Sequence, residues 1–210
     1  MIDVSKKKRI VLKLGTSTLT HKTGKLNIRR MTNLVRILSD LHNEGRELLL
    51  VSSGAVGMGV GKLNLSERPK DTPSKQAAAA VGQCELMHIY DDMFAKYNVT
   101  VAQILLTRAT LTNERLPHVQ NTIGRLLEMG VIPIVNENDT VAIDELELEI
   151  GENDSLSATV AAAVGADLLV ILSDINGLYS ADPRTNADAQ VIREVHKIDE
   201  HIAVSYTHLT

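Results

Sequence analysis

Aromatic side chains are nearly missing from this chain of 210 residues, which has no tryptophan, one phenylalanine and four tyrosines. Platforms that stack single-stranded nucleic acid are built from aromatic faces, so that class of function is excluded and the core is expected to be aliphatic. Cysteine is as scarce. The single Cys84 cannot close an intrachain disulfide, suits a reducing compartment, and falls in a helical stretch from Ala77 to Tyr90 where a buried structural thiol is expected. Neither charge dominates: 22 Lys and Arg face 26 Asp and Glu, for a net charge of −4, which leaves no electrostatic case for a nucleic-acid partner. The basic Lys6-Lys7-Lys8-Arg9 is a solvated approach to the first strand. Long apolar runs are also lacking. The start is polar to Arg9 and the run after it is too short for a signal peptide or a membrane span, so a soluble, cytoplasmic protein without a membrane partner is expected.

Several catalytic signatures are missing too. The seven histidines are scattered, with neither HExxH nor a zinc-type Cys/His spacing, and no GxSxG surrounds a serine. No GxxxxGK[ST] occurs. Gly57-Met58-Gly59-Val60-Gly61 looks superficially like a dinucleotide fingerprint but fails on spacing, because Lys62 stands where the third glycine belongs. No protein-held metal is expected.

What is present is an alternation of short aliphatic runs and amphipathic stretches. Ile10 to Leu14, Leu48 to Ser52, Val99 to Thr107, Val131 to Val135 and Leu168 to Leu172 have strand length, and their near-continuous hydrophobicity predicts burial on both faces. Helical spacing runs through Ile28 to His42, Ser74 to Tyr97, Asn113 to Met129 and Asp154 to Val164. The pattern predicts an α/β fold, a mostly parallel central sheet sandwiched by helices on both faces. Two insertions interrupt it. Thr16 to Asn27 suits a hairpin or loop over the first strand, and Thr140 to Ile150 alternates as a short antiparallel ribbon with one acidic and one aliphatic face.

Polar clusters punctuate the strand ends, where α/β proteins bind ligands. Lys13-Leu14-Gly15-Thr16-Ser17 closes the first strand with a lysine, costly in a buried strand unless paired, and with a glycine that lets backbone amides approach an anion. Ser52-Ser53-Gly54-Ala55 follows the second. Asn136-Glu137-Asn138-Asp139 follows the fourth, and Asn153-Asp154-Ser155 opens the last helix, where Asp154 could serve as the N-cap.

Together with Ser173-Asp174-Ile175-Asn176-Gly177-Leu178-Tyr179-Ser180-Ala181-Asp182-Pro183, these blocks resemble the amino acid kinase family over about residues 9–200. Their order is most similar to the branch that phosphorylates the side-chain carboxylate of L-glutamate, the first committed step toward proline. The resemblance implies ATP as co-substrate with Mg²⁺ carried on its phosphates, and L-glutamate as acceptor. By the same resemblance Lys13 and Asp154 are catalytic, the lysine on the transferring group and the aspartate holding it. Ser53, Asn136, Asp139 and Asn153 fall on substrate-binding positions, with Asp139 suited to the α-ammonium. Lys13, Gly15, Ser173 and Asp174 fall on ATP-binding positions. Homo-oligomeric assembly is implied as well. Family members continue past the last block into a glycine-rich loop with a second lysine, and many carry a further PUA domain. Residues 1–202 are therefore expected to be a kinase domain incomplete at its C-terminus and 203–210 a tail without family likeness, giving weak or no activity. Another acceptor, N-acetylglutamate or carbamate, or a glutamate-binding module without catalysis, is the alternative.

Overall fold

In a computed structural model that describes residues 3, 6–21, 25–112, 114–141 and 153–197, the aliphatic runs become one five-stranded parallel sheet. Its strands are β1 (Arg9–Leu14), β2 (Glu47–Ser52), β3 (Thr100–Leu106), β4 (Val131–Glu137) and β5 (Leu168–Leu172), in the order β3-β4-β2-β1-β5. Strand alternation sorts the core into two layers. Ile10, Leu12 and Leu14 of β1 and Leu48 and Leu50 of β2 pack on α2 (Ile28–Asn43) and α4 (Thr72–Ala95), while Val11, Leu49, Val51 and Val135 pack on α5 (Leu116–Glu128) and α6 (Asp154–Ala163). Helices therefore cover both faces, as the pattern predicts.

Burial on both faces holds for β1, β2 and β4 but not for β3 and β5. These are the outer strands among the described residues, and Ile171 is 40% exposed. An aliphatic run encodes strand and burial but not whether a neighbour flanks it.

The first insertion begins as a single helical turn, α1 (Thr16–Leu19), followed by an antiparallel bridge between Thr20 and Leu26. The ribbon expected near 140–150 falls almost entirely outside the described residues, which there end in a turn closed by the Val141 amide on the Asn138 carbonyl. The 203–210 tail also lies outside them.

A helix with no counterpart in the sequence pattern, α3 (Ala55–Lys62), follows β2. It starts at Gly54, whose φ of +104° lies in the left-handed region that glycine alone adopts freely. It packs on α4 backbone to backbone: a Cβ on Gly59 would lie 1.8 Å from the Ala78 carbonyl oxygen, and one on Gly82 would lie 1.8 Å from that of Ala55. Ala55, Val56, Ala78 and Ala79 fill the rest of the seam.

Two corrections concern side chains of α4. Cys84 is exposed, because the buried stripe runs through Gly82, Gln83, Leu86, Tyr90 and Phe94 and a residue one step past Gln83 is turned about 100° away from it. Nor is the core purely aliphatic. Tyr90 and Phe94 are fully buried, with ring centroids 6.4 Å apart.

Residues 1–172 form one unit and 173–210 a second. Within the second, β6 (Leu178–Tyr179) pairs antiparallel with β7 (Val191–Ile192), and the Asn186 amide donates to the Asp182 carbonyl at 2.9 Å, so Asp182-Pro183 opens a turn.

Candidate active site

Lys13 is an odd-numbered residue of β1, so it projects to the same face as Val11, toward α6, one step nearer the carboxyl end of the sheet. There its Nζ meets Oδ1 of Asp154 at 2.7 Å, both side chains being 14% exposed. A lysine in a buried strand is tolerable because it is paired, and the pair joins the end of β1 to the start of α6. Asp154 is not the N-cap of α6 but its first helical residue; Asn153 holds the cap position. A carboxylate there also gains from the positive end of the helix dipole.

Asn153 makes no capping bond with its side chain. Instead its Nδ2 points across the sheet end, 3.1 Å from the Ser52 carbonyl, 3.0 Å from Ser53 Oγ and 3.1 Å from Asn136 Oδ1. Asn136 Oδ1 also accepts from the Glu137 amide at 2.9 Å, and Asn136 Nδ2 donates to Gln83 Oε1 at 2.8 Å. Asn136, Asn153 and Gln83 are 2%, 4% and 8% exposed. This is a buried relay of three amides rather than a set of turn caps. Asn138, by contrast, serves its own turn by accepting from Thr140 Oγ1.

The β2 end is fixed from two sides. The Ser53 amide donates to the Leu14 carbonyl at 2.9 Å, and Ser52 Oγ lies 2.9 Å from the Tyr90 hydroxyl. Burial pushes the Tyr90 phenol well above its ordinary pKa, so it stays protonated and available to Ser52.

Gly15 has a φ of −73°, which any residue adopts. A Cβ there would stand 3.6 Å from the Leu172 carbonyl oxygen, 3.7 Å from Lys13 Nζ and 3.9 Å from Ser17 Oγ, in ordinary contact, so the glycine leaves the ammonium without a side chain packed against it. Asp139 stands half-buried in the turn after β4.

Lys13, Gly15, Ser53, Asn136, Asn153 and Asp154 thus meet at the carboxyl ends of β1, β2 and β4. Ser173 and Asp174 belong to the second unit, where Ser173 Oγ donates to Asp174 Oδ1 at 3.2 Å and Arg184 reaches Asp174 at 3.8 Å. Arg184 also binds Asp182, with its amide at 2.9 Å and its Nε at 3.0 Å, and these donors hold the Asp182 carboxyl below the usual carboxylate value. Gln83, Ser52 and Tyr90 are the members that motif reading left without a role. Gln83 had a signal, being the one amide on an inward stripe that otherwise carries Ala78, Ala79, Gly82, Leu86, Tyr90 and Phe94.

The model of the amino acid kinase family matches residues 8–206. A glutamate 5-kinase of Clostridium perfringens is 55% identical over 198 residues, covering 93% of this chain and 74% of that protein. One of Moorella thermoacetica is 53% identical over 202 residues, covering 96% of this chain but 53% of the relative. The chain therefore spans between about half and three quarters of the length of these relatives. Among solved structures, the isopentenyl phosphate kinase of T. acidophilum superposes with a TM-score of 0.62 at 19% identity, covering 90% of this chain and 80% of that one. The UMP kinase of Ureaplasma parvum gives 0.60 at 14% identity, covering 97% and 88%. These last two speak for the fold, and the family match speaks for descent: the chain belongs to the amino acid kinase family.

Proposed function

We propose that this chain carries the acceptor side of a glutamate 5-kinase site, which transfers the γ-phosphoryl group of ATP to the side-chain carboxylate of L-glutamate. A carboxylate oxygen attacks the γ-phosphorus, the bond from phosphorus to the β,γ-bridging oxygen breaks, and ADP leaves with that electron pair. The acceptor is already ionised at neutral pH, so no general base is needed. Catalysis then reduces to alignment and charge neutralisation. The observation that carries the reading is the Lys13–Asp154 pair at 2.7 Å beside the buried amide relay. Lys13 neutralises charge on the transferring group, and Asp154 orients its ammonium. Ser53, Asn136, Asp139 and Asn153 hold the amino acid, while Gly15 contacts the nucleotide. With relatives at 52–55% identity all named glutamate 5-kinase, an N-acetylglutamate or carbamate acceptor is not favoured.

Mg²⁺ fits such a site as a companion of the nucleotide. Among the described residues no three acidic, histidine or cysteine side chains gather to hold a metal, whereas Mg²⁺ characteristically keeps its waters and binds phosphate oxygens. When bound it would neutralise phosphate charge. A homo-oligomer acting in the cytoplasm completes the reading; among the described residues no helix is long and apolar enough to cross a membrane.

The test is acceptor selectivity. Calorimetry is expected to register binding of L-glutamate and none of N-acetylglutamate, and whatever hydroxamate the chain forms with ATP, Mg²⁺ and hydroxylamine is expected from L-glutamate alone. A chain that binds N-acetylglutamate and ignores L-glutamate would defeat the proposal.

A further inference from the structure

The amide relay ends in two unsatisfied atoms, and which atoms they are is fixed by the backbone. The Ser52 carbonyl can only accept, so the amide end of Asn153 that faces it must be Nδ2. The Glu137 amide can only donate, so Oδ1 is the end of Asn136 that faces it, and Asn136 Nδ2 is left for Gln83. Gln83 therefore presents Oε1 to Asn136. No flip of any of the three amides satisfies the network better. What remains is a donor, Gln83 Nε2, and an acceptor, Asn153 Oδ1, both buried and without a partner among the described residues.

Orphaned buried polar groups are costly and uncommon in folded proteins. Here they occur as one donor and one acceptor at opposite ends of a single relay, which otherwise satisfies its members. An amino acid carries the complementary set, an ammonium to donate and carboxylates to accept. We infer that Gln83 is a substrate contact, its Nε2 donating to a carboxylate oxygen of the bound amino acid, and that Asn153 meets the same ligand as an acceptor, through Oδ1 on the ammonium. This rests on the proposed glutamate site and adds to it a residue from α4, together with a polarity for Asn153 opposite to that of a carboxylate-binding amide.

Two variants separate the roles. Gln83→Met removes both polar atoms at nearly constant volume. Gln83→Glu keeps an acceptor for Asn136 while replacing the donor with an oxygen. Calorimetry on the full chain is expected to show L-glutamate binding weakened by about tenfold or more in both, with ATP binding unchanged. In ¹⁵N-labelled wild type, the Gln83 side-chain amide resonances, assigned by their loss in either variant, are expected to shift when L-glutamate is added. A role confined to packing would lower glutamate and ATP binding together with thermal stability. Wild type that binds L-glutamate with no change at the Gln83 amide, or variants that bind it undiminished, would overturn the inference and leave the glutamate site standing. Wild type that binds no L-glutamate would remove the site itself.

Discussion

Breaking the Lys13–Asp154 pair from either side should not cost the same. At an effective dielectric of about 20, unit charges 2.7 Å apart attract by on the order of 6 kcal/mol, most of which desolvation offsets. Removing the lysine by Lys13→Met leaves a carboxylate in the first turn of α6, where the helix dipole supports it by about 0.3–1 kcal/mol. Removing the carboxylate by Asp154→Asn leaves an ammonium inside β1, facing the positive end of that dipole. We expect Lys13→Met to cost about 1–2 kcal/mol and Asp154→Asn about 2–4 kcal/mol. The double variant should fall short of their sum by about 1–3 kcal/mol. Urea unfolding followed by far-ultraviolet circular dichroism is the suitable assay, since the chain has no tryptophan to report by fluorescence. Equal costs, or strictly additive ones, would refute the account of a partly buried pair polarised by the helix end. Both single variants should also abolish whatever hydroxamate formation the chain supports, including the less destabilised Lys13→Met.

Three further outcomes follow from the fold. Gly59→Ala places a methyl 1.8 Å from the Ala78 carbonyl oxygen and should cost about 3 kcal/mol or more, whereas Gly124→Ala in α5 meets nothing within 4 Å and should stabilise by about 0.5–1 kcal/mol; thermal melts of the two make the comparison. The raised Tyr90 phenol should make stability decline as pH climbs past the ordinary tyrosine value of 10.0, because the unfolded phenol ionises there and the buried one does not, and Tyr90→Phe should flatten that decline in alkaline urea titrations. Asp167 accepts from the Arg9 and Lys8 amides, which depress its carboxyl. Its contribution is therefore present above the ordinary carboxylate value of 3.8 and lost as pH falls below it, so Asp167→Asn should reduce the acid sensitivity of unfolding.

The interior strands were legible as uninterrupted aliphatic runs, α2 and α5 as helices by their apolar periodicity, and α4 and α6 by their alanine-rich composition. α3 was not, since Gly57, Gly59 and Gly61 weaken intrinsic helix propensity, and the helix is held by a backbone contact that Gly59 and, on α4, Gly82 permit. Of the site, Lys13 announced itself by its cost in a buried strand, and Asp154 by opening a helix. Asn153 and Asn136 were legible as positions but not as partners. Residues 17 and 53 apart in sequence carry no local signal that they share one hydrogen-bond chain. Gln83 shows the same limit: its burial follows from helix phase, its bond to Asn136 only from the fold.

The seam between α3 and α4 ties the two walls of the site to each other. Gly82 rests on the carbonyl of Ala55, so the residue before Gln83 and the residue after Gly54 touch through main-chain atoms. No rotamer lies between them to absorb a displacement. Mechanically the joint has no slack: a shift of α4 at Gln83 is delivered to the Ser53-Gly54 turn undamped, and polar groups on the two walls keep a common frame of reference. Substitutions at the polar positions would retune what the site holds, while any side chain added at Gly59 or Gly82 would change where its walls stand.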